Sequence, residues 1–228
     1  SEAFKIMDSF NSNRQISRIE NVAKSDLRIF ESLDFETVFK SNDYLCKRTD
    51  LANLKGDKFK SKRASRNYFV KNNKQVEYLP FERKYEAGCF KLFHLWQAQR
   101  KSRLNDKIYQ GMINDSRKCL EVLLKNYNQL GVIGRIVKVN REIKAFSFGF
   151  KLNNNTFCIL YEITDLSVKG IAQFIFREFC WELKDYQYIN IMDDSGLENL
   201  KKVKLSYHPV RLIPAYIIKR KEQSESEY

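Results

Sequence analysis

At 228 residues, with 43% hydrophobic and 14% aromatic residues, the chain is long and apolar enough for one large domain or two small ones, which excludes a disordered or fibrous protein. Its net charge of +13 bears on partners rather than on fold, and favours polyanions such as nucleic acid or anionic lipid surfaces. No apolar run approaches the roughly 18 residues of a membrane-spanning helix.

Only 8 Gly and 3 Pro are present, so long helices and strands are expected to dominate. No secretory leader pattern opens the chain, and Ser1 in place of Met points to a trimmed chain. Cys46, Cys89, Cys119, Cys158 and Cys180 are widely spaced without a Cys-x-x-Cys pair, and His94 and His208 are the only histidines. That spacing argues against a zinc site or a disulfide framework and for a reducing, cytoplasmic setting.

Residues 1–20 are polar and read as loose. The periodicity predicts a short helix over 21–33, a strand over 35–39 and a second strand over 43–48. Residues 54–73 then change character. Lys55, Lys58, Lys60, Lys62, Arg63, Arg66 and Lys71 crowd into one helical stretch, with Lys74 just past it and only Asp57 as an offset. Lys58, Lys62 and Arg66 recur every fourth residue and share one helix face, a spacing suited to a phosphate backbone as well as to solvent.

Amphipathic helices are expected over 82–101 and 113–130. A hairpin follows, with strands at 132–139 and 142–150 about a tight Asn140–Arg141 turn, then a strand over 156–163. A helix over 170–183, a strand over 187–192, a short amphipathic segment after Gly196 and a strand over 212–219 complete the pattern, and 222–228 reads as a polar, disordered tail. This order describes an α+β chain with a mixed sheet built partly from antiparallel hairpins.

Three places carry chemistry. Glu162 ends the third strand of the sheet region, where a charge is costly unless it pairs, for example with Lys144 or Lys169, or functions. The segment 188–196 ends an apolar run in Asp193 and Asp194 before Gly196, with Lys204, Tyr207 and His208 close behind. Carboxyl ends of strands are where open sheets place ligands, although either aspartate also suits a turn or a helix cap. The turn 164–172 leads a strand into an apolar helix, whose first amides suit a phosphate, with Lys169, Gly170 and Ala172 at the approach. Gly170 and Ala172 match the last two positions of the pyrophosphate loop of the acetyltransferase superfamily (GNAT), while Ser167 stands where Arg or Gln is usual.

The run 53–63 with Asn67 and Phe69, then Leu95-Trp96, Ala145-Phe146, Tyr161-Glu162, Gly170, Glu178-Phe179, Asn190, Asp194, Gly196 and the run Lys204-Leu-Ser-Tyr-His-Pro209, follow one another in a telling order. Over about residues 20–218 the chain resembles the C-terminal catalytic domain of bacterial phosphatidylglycerol lysyltransferases, and more closely the stand-alone soluble proteins that share that domain. The resemblance implies a GNAT-like mixed, largely antiparallel sheet flanked by helices. It implies a remnant of a first GNAT-like half at 1–53, a basic linking helix at 54–75, a catalytic domain at 76–220 and a tail at 221–228.

It also implies an acyltransferase that takes an aminoacyl group from aminoacyl-tRNA to a lipid or other small acceptor, with no tightly bound cofactor. An acyl-CoA donor, or a decayed tRNA-binding module, is the alternative. Glu162, Asp194, Lys204 and Tyr207 are then the catalytic candidates. Lys55, Lys58, Lys62, Arg63 and Arg66 are the tRNA contacts, and Lys169, Gly170 and Ala172 the donor phosphate loop. tRNA is the expected partner, with an anionic lipid acceptor and attachment at the inner membrane face as further expectations. Ile163 and Ile191 stand where the family carries charge, which puts the substrate, and catalysis itself, in question.

Overall fold

The computed structural model describes residues 2–13, 16–101 and 107–221. Eight helices and eight strands are present among them: α1 (Glu2–Phe10), β1 (Arg18–Ala23), α2 (Leu27–Glu31), β2 (Phe35–Lys47), α3 (Arg48–Asn53), α4 (Lys60–Asn72), β3 (Val76–Pro80), α5 (Glu86–Lys101), α6 (Lys107–Lys125), β4 (Val132–Val139), β5 (Glu142–Lys151), β6 (Thr156–Thr164), α7 (Ile171–Glu182), β7 (Tyr188–Asn190), α8 (Glu198–Leu205) and β8 (Arg211–Arg220). The fold is mixed α+β with a mostly antiparallel sheet flanked by helices. No helix among the described residues is long and apolar enough to cross a membrane. The tail expected at 222–228 lies outside the described residues.

Packing divides the chain into two compact units. The larger comprises Leu45–Met192 with Tyr207–Val210; the smaller comprises the residues up to Tyr44, Asp193–Ser206 and the residues from Arg211 onward. These groupings do not follow the boundaries expected at residues 53 and 75. The basic helix α4 is an integral part of the larger unit, and β8 packs with the N-terminal residues.

In the larger unit the hydrogen-bonded order runs from the end of β2 through β7, β6, β5 and β4 to β3. Every neighbouring pair is antiparallel except β6 with β7. Asn140 and Arg141 hold φ of 51° and 69°, the left-handed pair that a two-residue hairpin turn demands, and the expected β4–β5 hairpin closes on them. Helices α4 and α7 pack together, and Phe69, Val137, Ala145, Ile171, Phe174 and Ile175 form the core between them and the sheet. Gly88 brings α5 so close to β5 that a Cβ there would sit 2.6 Å from Ile143 Cδ1.

In the smaller unit β1 pairs antiparallel with β8, and β8 neighbours β2. Phe4, Val22 and Ile218 are its buried centre. The helix expected over 21–33 starts later, at Lys24. Residues 18–23 are drawn into β1 by their ladder to β8, Asn21 takes a φ of 60°, and the helical stretch is a 3-10 turn at Lys24–Asp26 followed by α2. The strands expected at 35–39 and 43–48 are one strand, β2, whose polar middle stays extended. β3 was not expected; it is five residues long and its alternation is too brief to register.

Candidate functional site

The ladder between β6 and β7 contains the pairs Thr156–Tyr188, Phe157–Ile189 and Cys158–Asn190, and then stops. β6 continues to Thr164, whereas the segment after β7 turns away at Met192, which holds a left-handed φ of 59°. Two parallel strands that part at their carboxyl ends open a crevice, which is where open sheets bind ligands. β6 also carries a bulge here. Ile159 faces Gly149 and Tyr161 faces Phe148, so Leu160 opposes no residue of β5. Bulges re-aim side chains and recur beside active sites.

Glu162 lies two residues beyond that bulge. Its neighbour Tyr161 donates its hydroxyl to the Ser116 carbonyl of α6, and alternation along the strand sends Glu162 to the opposite face, toward α4 and α7. There the Glu162 charge acts on Lys62 and on Tyr207. Lys62 Nζ stands 4.1 Å from the centroid of the Tyr207 ring, which also packs on Phe176 at 4.6 Å. Burial lowers the pKa of Lys62 and the Glu162 carboxylate draws it back up. Tyr207 is buried, and burial, then the Glu162 charge, raise its pKa well above the ordinary tyrosine value, so its hydroxyl stays protonated. A carboxylate, an ammonium and a neutral phenol thus share one face beside the split. Neither alternative partner considered for Glu162 is where it was expected: Lys144 binds Glu142 and Asp165, and Lys169 stands 4.7 Å over the Tyr68 ring.

The basic stretch is turned differently from the expectation. Phe69 is fully buried and fixes the inner face of α4, and Lys62 and Arg66 fall beside it, both half-buried. Arg66 pairs with Glu178 at 3.1 Å, Arg63 donates to the carbonyls of Leu54 and Gly56, and Lys58 pairs with Asp50 at 3.1 Å. Lys55 is exposed. Lys62 and Arg66 therefore serve the interior of the larger unit, whereas Lys55 and Lys58 stay exposed.

The turn after β6 is tightly tied. Asp165 is buried; its carboxylate accepts from the Ser167 amide and hydroxyl, from Gln99 and from Lys144. The amides of Leu166, Val168 and Ile171 donate to Gln99 Oε1 and to the carbonyls of Asp165 and Val168. Gly170 holds a φ of +84°, and a Cβ there would lie 2.1 Å from the Ser65 carbonyl oxygen. Its glycine is explained by the approach of α4. Lys169 is exposed and Ala172 half-buried.

Asp194 and Lys204 belong to the smaller unit, apart from Glu162 and Tyr207 in the packing division. Asp194 accepts from the Tyr44 hydroxyl and from the Gly196 amide, and Asp193 accepts from Ser41. Burial and the bond to Asp194 push the Tyr44 pKa up to about 12. Both aspartates hold a turn, and α8 begins without a side-chain cap. Lys204 is half-buried in the last turn of α8. His94 is exposed on α5. Ile163 and Ile191 are both buried, so packing accounts for their apolar side chains.

Sequence reasoning missed the partnership of Lys62 with Glu162. Its only signal was a lysine on the same helix face as the core residue Phe69. Among the described residues no cluster of three or more His, Cys, Asp or Glu is arranged to hold a metal ion. Two surface hollows, one at Arg83 and residues 124–129 and one at Lys74, Gln75, Val76, Glu77 and Arg141, include none of the expected site residues.

A conserved protein of unknown function from Bacteroides thetaiotaomicron is 30% identical, with a TM-score of 0.78 over 96% of this chain and 74% of that one. The L-PGS structure from Bacillus licheniformis shares the fold at 15% identity, with a TM-score of 0.66 over 91% of this chain and 68% of that one. A functionally unknown conserved protein from Staphylococcus epidermidis, 12% identical, has a TM-score of 0.53 over 96% of this chain and 79% of that one. No curated protein matches the chain in sequence. The family model described as phosphatidylglycerol lysyltransferase, C-terminal, matches residues 11–219, and with a transferase-like fold around the split of β6 and β7 the chain belongs to that family.

Proposed function

We propose that the chain is an aminoacyltransferase that takes its acyl group from aminoacyl-tRNA and passes it to an amine or hydroxyl acceptor, a lipid head group or a small molecule. The observation that carries this reading is Glu162 at the parting of β6 and β7, facing Lys62 and Tyr207. The acceptor nitrogen or oxygen attacks the ester carbonyl carbon and forms the new C–N or C–O bond. The ester C–O bond to the terminal ribose breaks. Glu162 takes the proton from the acceptor and returns it to the departing ribose oxygen, a general acid–base role. The Lys62 ammonium opposes the charge that develops on the carbonyl oxygen. Ile163 and Ile191 keep the neighbouring interior dry, which strengthens both interactions.

Support for a tRNA rather than an acyl-CoA donor comes from the turn after β6. Its amides at Leu166, Ser167, Val168 and Ile171 already donate within the protein, and Gly170 is closed off by Ser65.

Transfer of a labelled amino acid from charged bulk tRNA to phosphatidylglycerol vesicles, or to soluble amines, tests the reading. Glu162→Gln is expected to keep its circular dichroism and its tRNA affinity while transfer falls by about a hundredfold or more. Undiminished transfer in that variant, or transfer only from acyl-CoA, overturns the assignment.

A further inference from the structure

The inward turn of Lys62 and Arg66 raises the question of where a polyanion meets this protein, because the whole cationic excess of the chain lies in the larger unit. Arg63 and Arg66 are half-buried and bonded within the unit, the exposed Lys58 is paired with Asp50, and Lys62 is half-buried over Tyr207. A different set of cations gathers at the tip of the β4–β5 hairpin. Lys71 lies in the last turn of α4, Lys74 follows it, and Arg141 stands on the turn itself; all three are exposed. Lys138 precedes the turn and lies 4.5 Å over the Tyr85 ring.

Lys74 and Arg141 line a hollow with Gln75, Val76 and Glu77. Two acids are close by. Glu142 is held by Lys144 at 3.0 Å, and Glu77 sits opposite Lys138 in the β3–β4 register. The tip is rigid in the way a docking surface needs. The left-handed pair Asn140–Arg141 fixes the turn, and the Asn140 amide donates to the Gln75 carbonyl at 3.0 Å, which clips the turn to the chain entering β3.

Its position relative to Glu162 is what identifies the partner. Glu162 faces Ser147 across the β5–β6 ladder, and Arg141 lies six residues back along β5 toward the same end of the sheet to which β6 runs. Along an extended strand that places the tip about 20 Å from Glu162. An aminoacyl ester sits at the end of an unpaired 3′ strand of a few nucleotides, so an ester held at Glu162 puts the first base-paired phosphates at that range.

We infer that Lys74 and Arg141, with Lys71 at the end of α4, form a docking surface for the sugar–phosphate backbone of the donor RNA, set back from the reacting ester by the length of its single-stranded end. The inference rests on the aminoacyl-tRNA reading above and names the surface that reading lacks. Contacts of this kind position an RNA without reading its sequence, and they weaken steeply with salt.

The test is binding of bulk tRNA to the whole chain across a salt series, with Lys74→Glu/Arg141→Glu compared against Lys151→Glu/Lys184→Glu. The second pair is also exposed, lies at the opposite end of the sheet and makes the same charge change. The tip variant is expected to lose about tenfold in affinity at low salt and to flatten the slope of log affinity against log salt by about 1.5, with the control unchanged. Equal losses in both variants, or none at the tip, overturn the surface. Loss of binding to phosphatidylglycerol vesicles with tRNA affinity intact also overturns it, in favour of a lipid-facing patch. If the tip binds charged and uncharged tRNA alike and no transfer follows, the docking surface stands while the transferase reading falls.

Discussion

Asp165 directly follows β6 with its side chain 3% exposed, a position where burial alone would raise a carboxyl pKa. The Ser167 hydroxyl and amide, Gln99 and Lys144 outweigh that burial and bring it down to about 2. A carboxyl depressed from an unfolded value near 3.9 adds stability that is complete above that value and disappears as pH falls through the folded one. Asp165→Asn is therefore expected to cost about 2 kcal/mol at pH 7 and progressively less between about pH 4 and pH 2. Urea midpoints taken across that range check it, and a penalty independent of pH would show that the carboxylate charge is not what matters. Glu162 and Asp165 also show what single residues reveal in sequence. Glu162 stood out because a charge at the end of an apolar strand is anomalous. Asp165 read only as part of a turn, since the side chains that satisfy it come from Gln99, Lys144 and Ser167, and only the last is near in sequence.

At the scale of elements, α4 and α7 cross closely because Gly170 has no side chain. The same glycine also holds a left-handed φ, so Gly170→Ala meets two penalties at once: strain at φ +84° and a collision with the Ser65 carbonyl, a backbone atom that yields only if α4 moves. Gly131 has a φ of +60° with nothing near the added Cβ, and its alanine variant meets the strain alone. Gly131→Ala should cost about 1 kcal/mol and Gly170→Ala about 3 kcal/mol or more. Equal costs in urea unfolding would mean that the α4–α7 approach is slack. The spacing of apolar residues made α5, α6, α7 and the β4–β5 hairpin legible, because each repeats its period over many residues or ends in an Asn-Arg turn. It failed for the orientation of the basic helix. Four-residue spacing says which cations share a face, but only Phe69, buried in the core, says that this face points inward.

At the scale of the molecule, strands within the larger unit were recoverable because hairpins join neighbours in sequence. The smaller unit was not, because β1 pairs with β8 across most of the chain, as in Arg18 with Lys219 and Ile19 with Ile218. No local pattern reports a partner about two hundred residues away, and the closure of so long a loop makes such contacts dependent on the rest of the unit. That unit rests on a small centre of Phe4, Val22 and Ile218, with Met7, Ile19, Leu27, Phe30 and Phe35 packed at its margin. Ile218 is fully buried, so Ile218→Ala removes methyl groups that have no other cover and leaves a cavity worth about 2 to 5 kcal/mol. A loss of that size approaches the whole stability that so small a core supplies. The larger unit keeps its own core of Phe69, Val137, Ala145, Ile171 and Ile175, which the substitution does not touch. Hydrogen exchange of Ile218→Ala should therefore show protection lost in β1 and β8 and retained in β6 and α7. Uniform loss across all four would mean that the chain unfolds as a single cooperative body; selective loss would show that the transferase-like unit keeps its fold without the smaller one.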